Sequence, residues 1–235
     1  SNTISKPKYG IDIQTTYGTL VQDNTIEDLR TSSGLLKNYG IRSLNCYKPV
    51  ISSNTITPVP FNGNQPGASS DFNTGIQIEN TWAATLNCNV IRKTGTSLVI
   101  SGANPMATIT NNDFVKSYYG IYTKNSGYTG DLGNATHPVD NQWVGIANLR
   151  QQYTTSPGSF ELMYCRNTST YWPVFHQSAP YNPTAPATMP SVYNCPQEII
   201  IDPTEKAQKT VTQDMLIFSN ESKAWVKRGK AEQGI

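Results

Sequence analysis

The first 125 residues show short apolar segments alternating with polar turns, and the alternation repeats. Over "YGIRSLNCYKPVISSNTI" (39–56) no apolar stripe recurs at the three-to-four spacing of a helix. Counted from an opening Gly, three positions are apolar in every copy that reaches them. One position on lie Ile11, Ile41, Ile76, Val99 and Ile121; eleven on lie Val21, Ile51, Leu86 and Ile109; sixteen on lie Ile26, Ile56, Ile91 and Phe114. The openings are Gly10, Gly40, Gly75 and Gly120, with Leu98 read in place of Gly in the fourth copy. Fourteen residues after each opening, the four complete copies carry Asn24, Asn54, Asn89 and Asn112.

This pattern predicts three short extended segments per copy, each turning an apolar side chain inward. The reading assigns Gly to a corner that needs positive φ and Asn to a corner in the left-handed region. One copy cannot bury its apolar face alone, so successive copies must pile up, Ile on Ile and Asn on Asn, giving apolar stacks inside and an amide ladder at the bend. The expected fold is therefore all-β: a parallel β-helix of about four to five coils over residues 1–125. The longer copies carry extra residues after the Asn-x-Ile, at 27–38 and 57–73, from the same corner of neighbouring coils. They are expected to form one lateral protrusion, a place where solenoids often bind.

Beyond residue 125 the columns fade. Residues 126–196 read as a loop- and Pro-rich capping region, in which Pro173, Pro180, Pro183, Pro186, Pro190 and Pro196 exclude a helix or a central strand. Residues 197–235 read as a short strand, Ile199 to Ile201, followed by a helix over 203–229. There Asp202 fits the N-cap, Pro203 the first turn and Glu205 a capping box. A chain that opens inside a repeat and ends at "AEQGI" reads as part of something longer.

Composition narrows the function. The abundance of Thr, Asn, Ser, Gly and Tyr suits strands and turns. A net charge of +2 with 14% charged residues gives no clustered basic field for nucleic acid. No stretch approaches the roughly 20 apolar residues of a membrane span, and "SNTISKPKYGID" lacks the apolar core of a secretory signal. Cys46, Cys88, Cys165 and Cys195 form no Cys-x-x-Cys pair and no zinc spacing with His137 or His176. Cys165 and Cys195 share a Tyr-flanked setting, which suggests a disulfide between them in an oxidising compartment; two small buried thiols are the alternative.

The coils, followed by "GDLGNATHPVDNQWVG" and a Pro-rich stretch ending in "NCP", resemble the right-handed parallel β-helix regions of large secreted or cell-surface proteins of Bacteroidota. The resemblance covers roughly residues 8–196, and 119–145 is its most distinctive part. It implies export, typically by the type IX pathway, a place on or near the outer surface, and scaffolding, adhesion or polysaccharide contact as the role. Partners would be a cell-surface glycan or another surface protein, together with the export machinery.

Candidate chemistry is sparse. Polysaccharide lyases and hydrolases need clustered or paired carboxylates, but Asp12, Asp23, Glu79 and Asp113 occupy different columns, and Asp71 lies in an insertion. Arg42 shares a column with Asp12 and is expected to pair with it across the ladder. Asp131, His137 and Asp140 could form an acid/base group, but they sit in a segment that reads as a structural turn. No nucleophile elbow is present. No cofactor or metal is expected. Aromatic residues are the better ligand candidates: Tyr47, Trp82, Tyr119 and Tyr122, with Tyr118 and Tyr128, could stack on sugar rings. Tyr9, Tyr39 and Tyr119 each precede a Gly-Ile and form a column of their own; a stiffening surface ladder is its plainer explanation. The sequence thus points to a non-catalytic structural or adhesive portion of a surface β-helix protein. The alternatives are a polysaccharide-active lyase or glycoside hydrolase and a phage tailspike-like receptor-binding protein.

Overall fold

The computed structural model of the chain describes residues 2–5, 7, 9–28, 38–57, 73–130, 132–144, 150–154, 163–165, 176–177, 184–186 and 195. All regular elements among them are strands, and all their strand pairings are parallel. The chain divides into two compact units, Ser1–Cys195 and Pro196–Ile235. The second, with the helix expected over 203–229, lies outside the described residues.

The strands stack into three walls. The first holds β2 (Tyr9–Gln14), β5 (Asn38–Leu44), β8 (Asn73–Glu79), β11 (Thr96–Ala103), β14 (Tyr119–Tyr128), β16 (Arg150–Thr154) and β18 (His176–Gln177). The second holds β3 (Leu20–Gln22), β6 (Val50–Ser52), β9 (Thr85–Asn87) and β12 (Thr108–Thr110). The third holds β1 (Asn2–Ser5), β4 (Asn24–Glu27), β7 (Thr55–Thr57), β10 (Val90–Arg92), β13 (Asp113–Val115) and β15 (Gln142–Val144). From β2 to β13 each turn of chain visits the three walls in order, which is a parallel β-helix. The apolar columns face inward. Ile41 pairs in register with Ile11 and Ile76, Ile51 with Val21 and Leu86, and Ile56 with Ile26 and Ile91. Ile41, Ile51, Ile56, Ile76 and Ile91 are fully buried in one core.

Register corrects the fourth copy. Leu98 pairs with Ile76 and Ile121, so it belongs to the Ile column, and Ser97 holds the place of Gly. The spacing from Leu98 to Asn112 imitates the repeat because this coil has one extra residue, absorbed at Gly102 (φ 63), where β11 shifts register against β14.

The Gly column has another duty than the one expected, and the Asn column keeps only one of its two. Gly10, Gly40 and Gly75 are absent from the positive-φ residues. A Cβ on Gly40 would lie 2.6 Å from the Gly75 carbonyl oxygen and 2.7 Å from Ile56 Cγ2, so Gly is required because the first wall closes onto the third. The left-handed corner falls one residue before each Asn, at Asp23, Ser53, Cys88, Asn111 and Asp140. The Asn side chains form the amide ladder expected at the bend. Asn24 donates both its backbone N–H and its Nδ2 to Asn54 Oδ1, at 3.1 and 3.0 Å. Asn54 does the same to Asn89, Asn89 to Asn112, and Asn112 to Asn141. Asn2 joins at the other end through Asn24 Oδ1.

The stacking runs on past residue 125. In "DNQWV", Asn141 is a further rung and Trp143 pairs with Phe114 in the third-wall apolar column. β16 and β18 extend the first wall into the stretch expected to be loop- and Pro-rich. β17 (Met163–Cys165) and β19 (Thr184–Pro186) form a small sheet, and Pro186 lies on an edge strand, where its missing N–H is tolerated. The expected lateral protrusion falls mostly on 29–37 and 58–72, outside the described residues; both segments leave from the third wall, after β4 and β7.

The disulfide joins Cys88 to Cys195, not Cys165 to Cys195. Cys88 sits at the left-handed corner that turns outward, whereas Cys165 is fully buried in the core cluster with Leu132 and Val139. Burial, with the nearby Asp140 carboxyl adding to it, pushes the Cys165 thiol well above its ordinary pKa. Similar flanking residues had concealed two different environments.

Candidate functional site

The corner between the first and second walls carries the most distinctive surface. Each coil turns there through two left-handed positions: Thr15 and Gly18, Asn45 and Lys48, Asn80 and Ala83. Between them the inward residues Thr16, Cys46 and Thr81 anchor the turn. Thr16 Oγ donates to Cys46 Sγ at 3.4 Å, and Thr81 Oγ donates to the Ser43 carbonyl at 3.2 Å. Burial pushes the Cys46 thiol up, but hydrogen bonds from Ser43 and Thr16 outweigh it and bring its pKa below the ordinary value. The next residue of each coil, held by parallel bridges, points outward: Tyr17, Tyr47 and Trp82.

These rings form a row along the solenoid. Tyr17 and Tyr47 have centroids 5.2 Å apart at an interplanar angle of 15°, and Tyr47 and Trp82 are 6.4 Å apart at 19°. The three residues are 73%, 39% and 46% exposed. Leu20 and Met106, also exposed, extend the same corner. Lys48 holds its ammonium 5.5 Å from the Tyr47 ring centroid.

The structure therefore brings Tyr47 and Trp82 together and leaves Tyr119 and Tyr122 elsewhere. Tyr119 is 7% exposed on the first wall, stacked on half-buried Tyr122 at 5.6 Å and met edge-on by Tyr118. A ligand cannot stack on a ring so covered. The column expected from Tyr9, Tyr39 and Tyr119 is interrupted: Tyr9 stacks on Tyr39 at 6.0 Å, but Tyr39 pairs with Thr74 and Tyr119 with Thr96. Tyr17 is the residue that sequence reasoning missed. The signal was present, since Tyr17, Tyr47 and Trp82 each lie seven residues after the opening Gly.

The acid/base candidates do not converge. Asp12 receives a two-pronged bond from Arg42, Nε at 3.0 Å and Nη2 at 2.7 Å, which holds its carboxyl below the ordinary value. His137 lies exposed in a turn closed by Asn134, whose Oδ1 accepts from the backbone N–H of Thr136 and of His137 at 2.9 Å each. Its Nδ1 is 3.0 Å from Thr136 Oγ, while Asp140 is buried. Asp131 is outside the described residues. No group of three His, Cys, Asp or Glu side chains among the described residues is placed to hold a metal ion, and no helix among them is long and apolar enough to cross a membrane.

Residues 1–143 match the model of the family described as periplasmic copper-binding protein (NosD). Neither the curated proteins nor the solved structures contain a match. Copper favours imidazole, thiolate and thioether ligands. The matched stretch contains one His, His137; one Met, Met106; and two cysteines, of which Cys88 is in the disulfide and Cys46 is buried. These residues do not fit a copper centre. What the stretch shares with the family is the stacked coil, and on a match covering more than half its length this chain belongs to the NosD family of β-helix proteins.

Proposed function

We propose that the chain is the non-catalytic scaffold of an exported β-helix protein that presents its aromatic corner to a glycan. One observation carries this reading: an exposed row of Tyr17, Tyr47 and Trp82, built on a rigid backbone by three successive coils. Exposed Tyr and Trp side chains, which join an apolar ring to a polar group, are suited to sugar rings, which have the same mixed character. Export is supported by the periplasmic description of the family and by the Cys88–Cys195 disulfide, which belongs to an oxidising compartment. Type IX passage to the outer surface of a Bacteroidota cell rests on the resemblance alone, which spans roughly residues 8–196 and is most distinctive over 119–145. Copper binding is no part of this role, because residues 1–143 lack the ligands for it.

The test incubates the chain with a panel of soluble polysaccharides and measures both retention and cleavage. Binding without new reducing or unsaturated ends supports the scaffold reading. Release of such ends would replace it with an enzyme.

A further inference from the structure

Resting on the reading above, the geometry points to a ligand class: we infer that the corner binds a neutral polysaccharide whose chain lies along the solenoid axis. The four corner segments are "TTYGTL" (15–20), "NCYKPV" (45–50), "NTWAAT" (80–85) and "ANPMAT" (103–108), and Lys48 is their one charged residue. Its ammonium is already engaged over the Tyr47 ring. An acidic polysaccharide would need a row of cations, which this row lacks. What flanks the rings is neutral and hydrogen-bonding: exposed Thr15, Asn45 and Asn80 run parallel to Tyr17, Tyr47 and Trp82, two residues before each.

The row has direction. Its members repeat at the rung spacing of roughly 4.8 Å, so the strip extends about 14 Å from Tyr17 to the coil of Pro105 and Met106, along the axis and not across it. Pro105 continues the row, for its carbonyl accepts from Ala83 N–H as the Trp82 carbonyl accepts from Lys48 N–H. A chain laid lengthwise meets one ring per coil, and a chain laid crosswise meets only one ring.

Area separates a glycan from a protein partner. At their observed exposures the three aromatic side chains offer roughly 300 Å². Even with Leu20 and Met106 the strip falls short of the ~800 Å² per partner of a stable protein interface. It falls in the size range of functional apolar patches.

The experiment is affinity electrophoresis and calorimetry of the whole chain against unsubstituted neutral polysaccharides (a mixed-linkage β-glucan, a mannan, a xylan) and acidic ones (polygalacturonate, alginate), at 50 and 500 mM salt. The expected result is retention by at least one neutral polymer with affinity unchanged within about twofold by salt. Trp82→Ala and Tyr17→Ala should each weaken it about tenfold, the loss of one stacked ring, with circular dichroism unchanged. Lys48→Gln should shift it less than threefold. Salt-sensitive binding confined to the acidic polymers would overturn this inference and leave the glycan reading standing. Retention by no polymer would overturn both. Neutral binding that survives Trp82→Ala, Tyr17→Ala and the double variant would remove the corner as the site.

Discussion

Replacing Asn54 by Ala should remove a central rung of the amide ladder and destabilise the chain by about 3 kcal/mol. Asn54 is fully buried. Its Oδ1 accepts both the backbone N–H and the Nδ2 of Asn24, and its Nδ2 donates to the Val21 and Ser52 carbonyls at 2.9 and 3.0 Å and to Asn89 Oδ1 at 3.0 Å. In the Ala variant the Asn24 N–H and amide lose their acceptor in a site water does not reach. Each stranded buried group costs ~1–3 kcal/mol, so the two on Asn24 give roughly 2–6 kcal/mol. Against a typical total of about 5–15 kcal/mol this is a large fraction, and it should lower the melting temperature by roughly 6–12 °C. The assay is urea and thermal unfolding followed by tryptophan fluorescence and far-ultraviolet circular dichroism. Gln22→Ala, on an exposed strand position, is the comparison and should stay within about 0.5 kcal/mol. Asn54→Ala falling within that same margin would refute the ladder as a stabilising element. So would strict additivity with Asn89→Ala, since neighbouring rungs share bonds and must couple.

Gly40→Ala should cost roughly 1–3 kcal/mol, because its methyl meets the Gly75 carbonyl and Ile56 and neither can withdraw without opening the wall; Gly18→Ala, with open space around it but φ +62, should show only backbone strain of about 1 kcal/mol in the same melts. Cys195→Ser removes a link between residues 107 apart, for which loop-closure entropy sets an upper figure of about 4.8 kcal/mol, and about 2–4 kcal/mol is the loss of unfolding free energy expected from denaturant melts. Thiol counting in denaturant without reductant should find two free groups, Cys46 and Cys165, and peptide mapping should recover Cys88 joined to Cys195. The Asp12–Arg42 pair should contribute less than ~1 kcal/mol, lost in 1 M salt. Because the Arg42 hydrogen bond lowers the folded-state pKa of Asp12 below 3.8, that contribution is full above about pH 4 and disappears as pH falls through the lowered value, which melts of Asp12→Asn against the parent between pH 2 and 6 will show.

Much of the fold could be read from the chain because a β-helix writes each wall as a column. Ile11, Ile41 and Ile76 are neighbours in space for the same reason that they are equivalent in the repeat. Roles were harder to read than positions. Gly40 looked like a turn residue, yet what excludes a side chain there is Ile56 on another wall, and contact across the core leaves no local signature. The left-handed corner can be filled by Asp23, Ser53 or Cys88, so it has no constant residue type, while the constant Asn beside it serves the ladder. A single inserted residue near Gly102 let Leu98 pass for an opening position. Asn141 and Trp143 were obscured because the wall before them is replaced by the turn around Asn134 to His137. The disulfide was illegible, since sequence gives spacing and not which corner faces out. The aromatic corner was half legible. Tyr47 and Trp82 stand out singly, and only equivalence at seven residues past each Gly joins them to Tyr17.

Everything rests on parallel, in-register stacking of successive coils, and engineered cysteine pairs on β3 and β6 test it directly. Leu20 faces Val50 in the structure, and Val21 faces Ile51. Parallel partners lie about 4.8 Å apart, within disulfide reach, whereas positions two residues out of step are roughly 8 Å apart and beyond it. Oxidation followed by mass spectrometry should therefore cross-link the Leu20→Cys/Val50→Cys variant readily and leave Leu20→Cys/Ser52→Cys open. Antiparallel pairing about the same centre would give the reverse, Leu20→Cys/Ser52→Cys closed and Leu20→Cys/Val50→Cys open, and that result would contradict the coil.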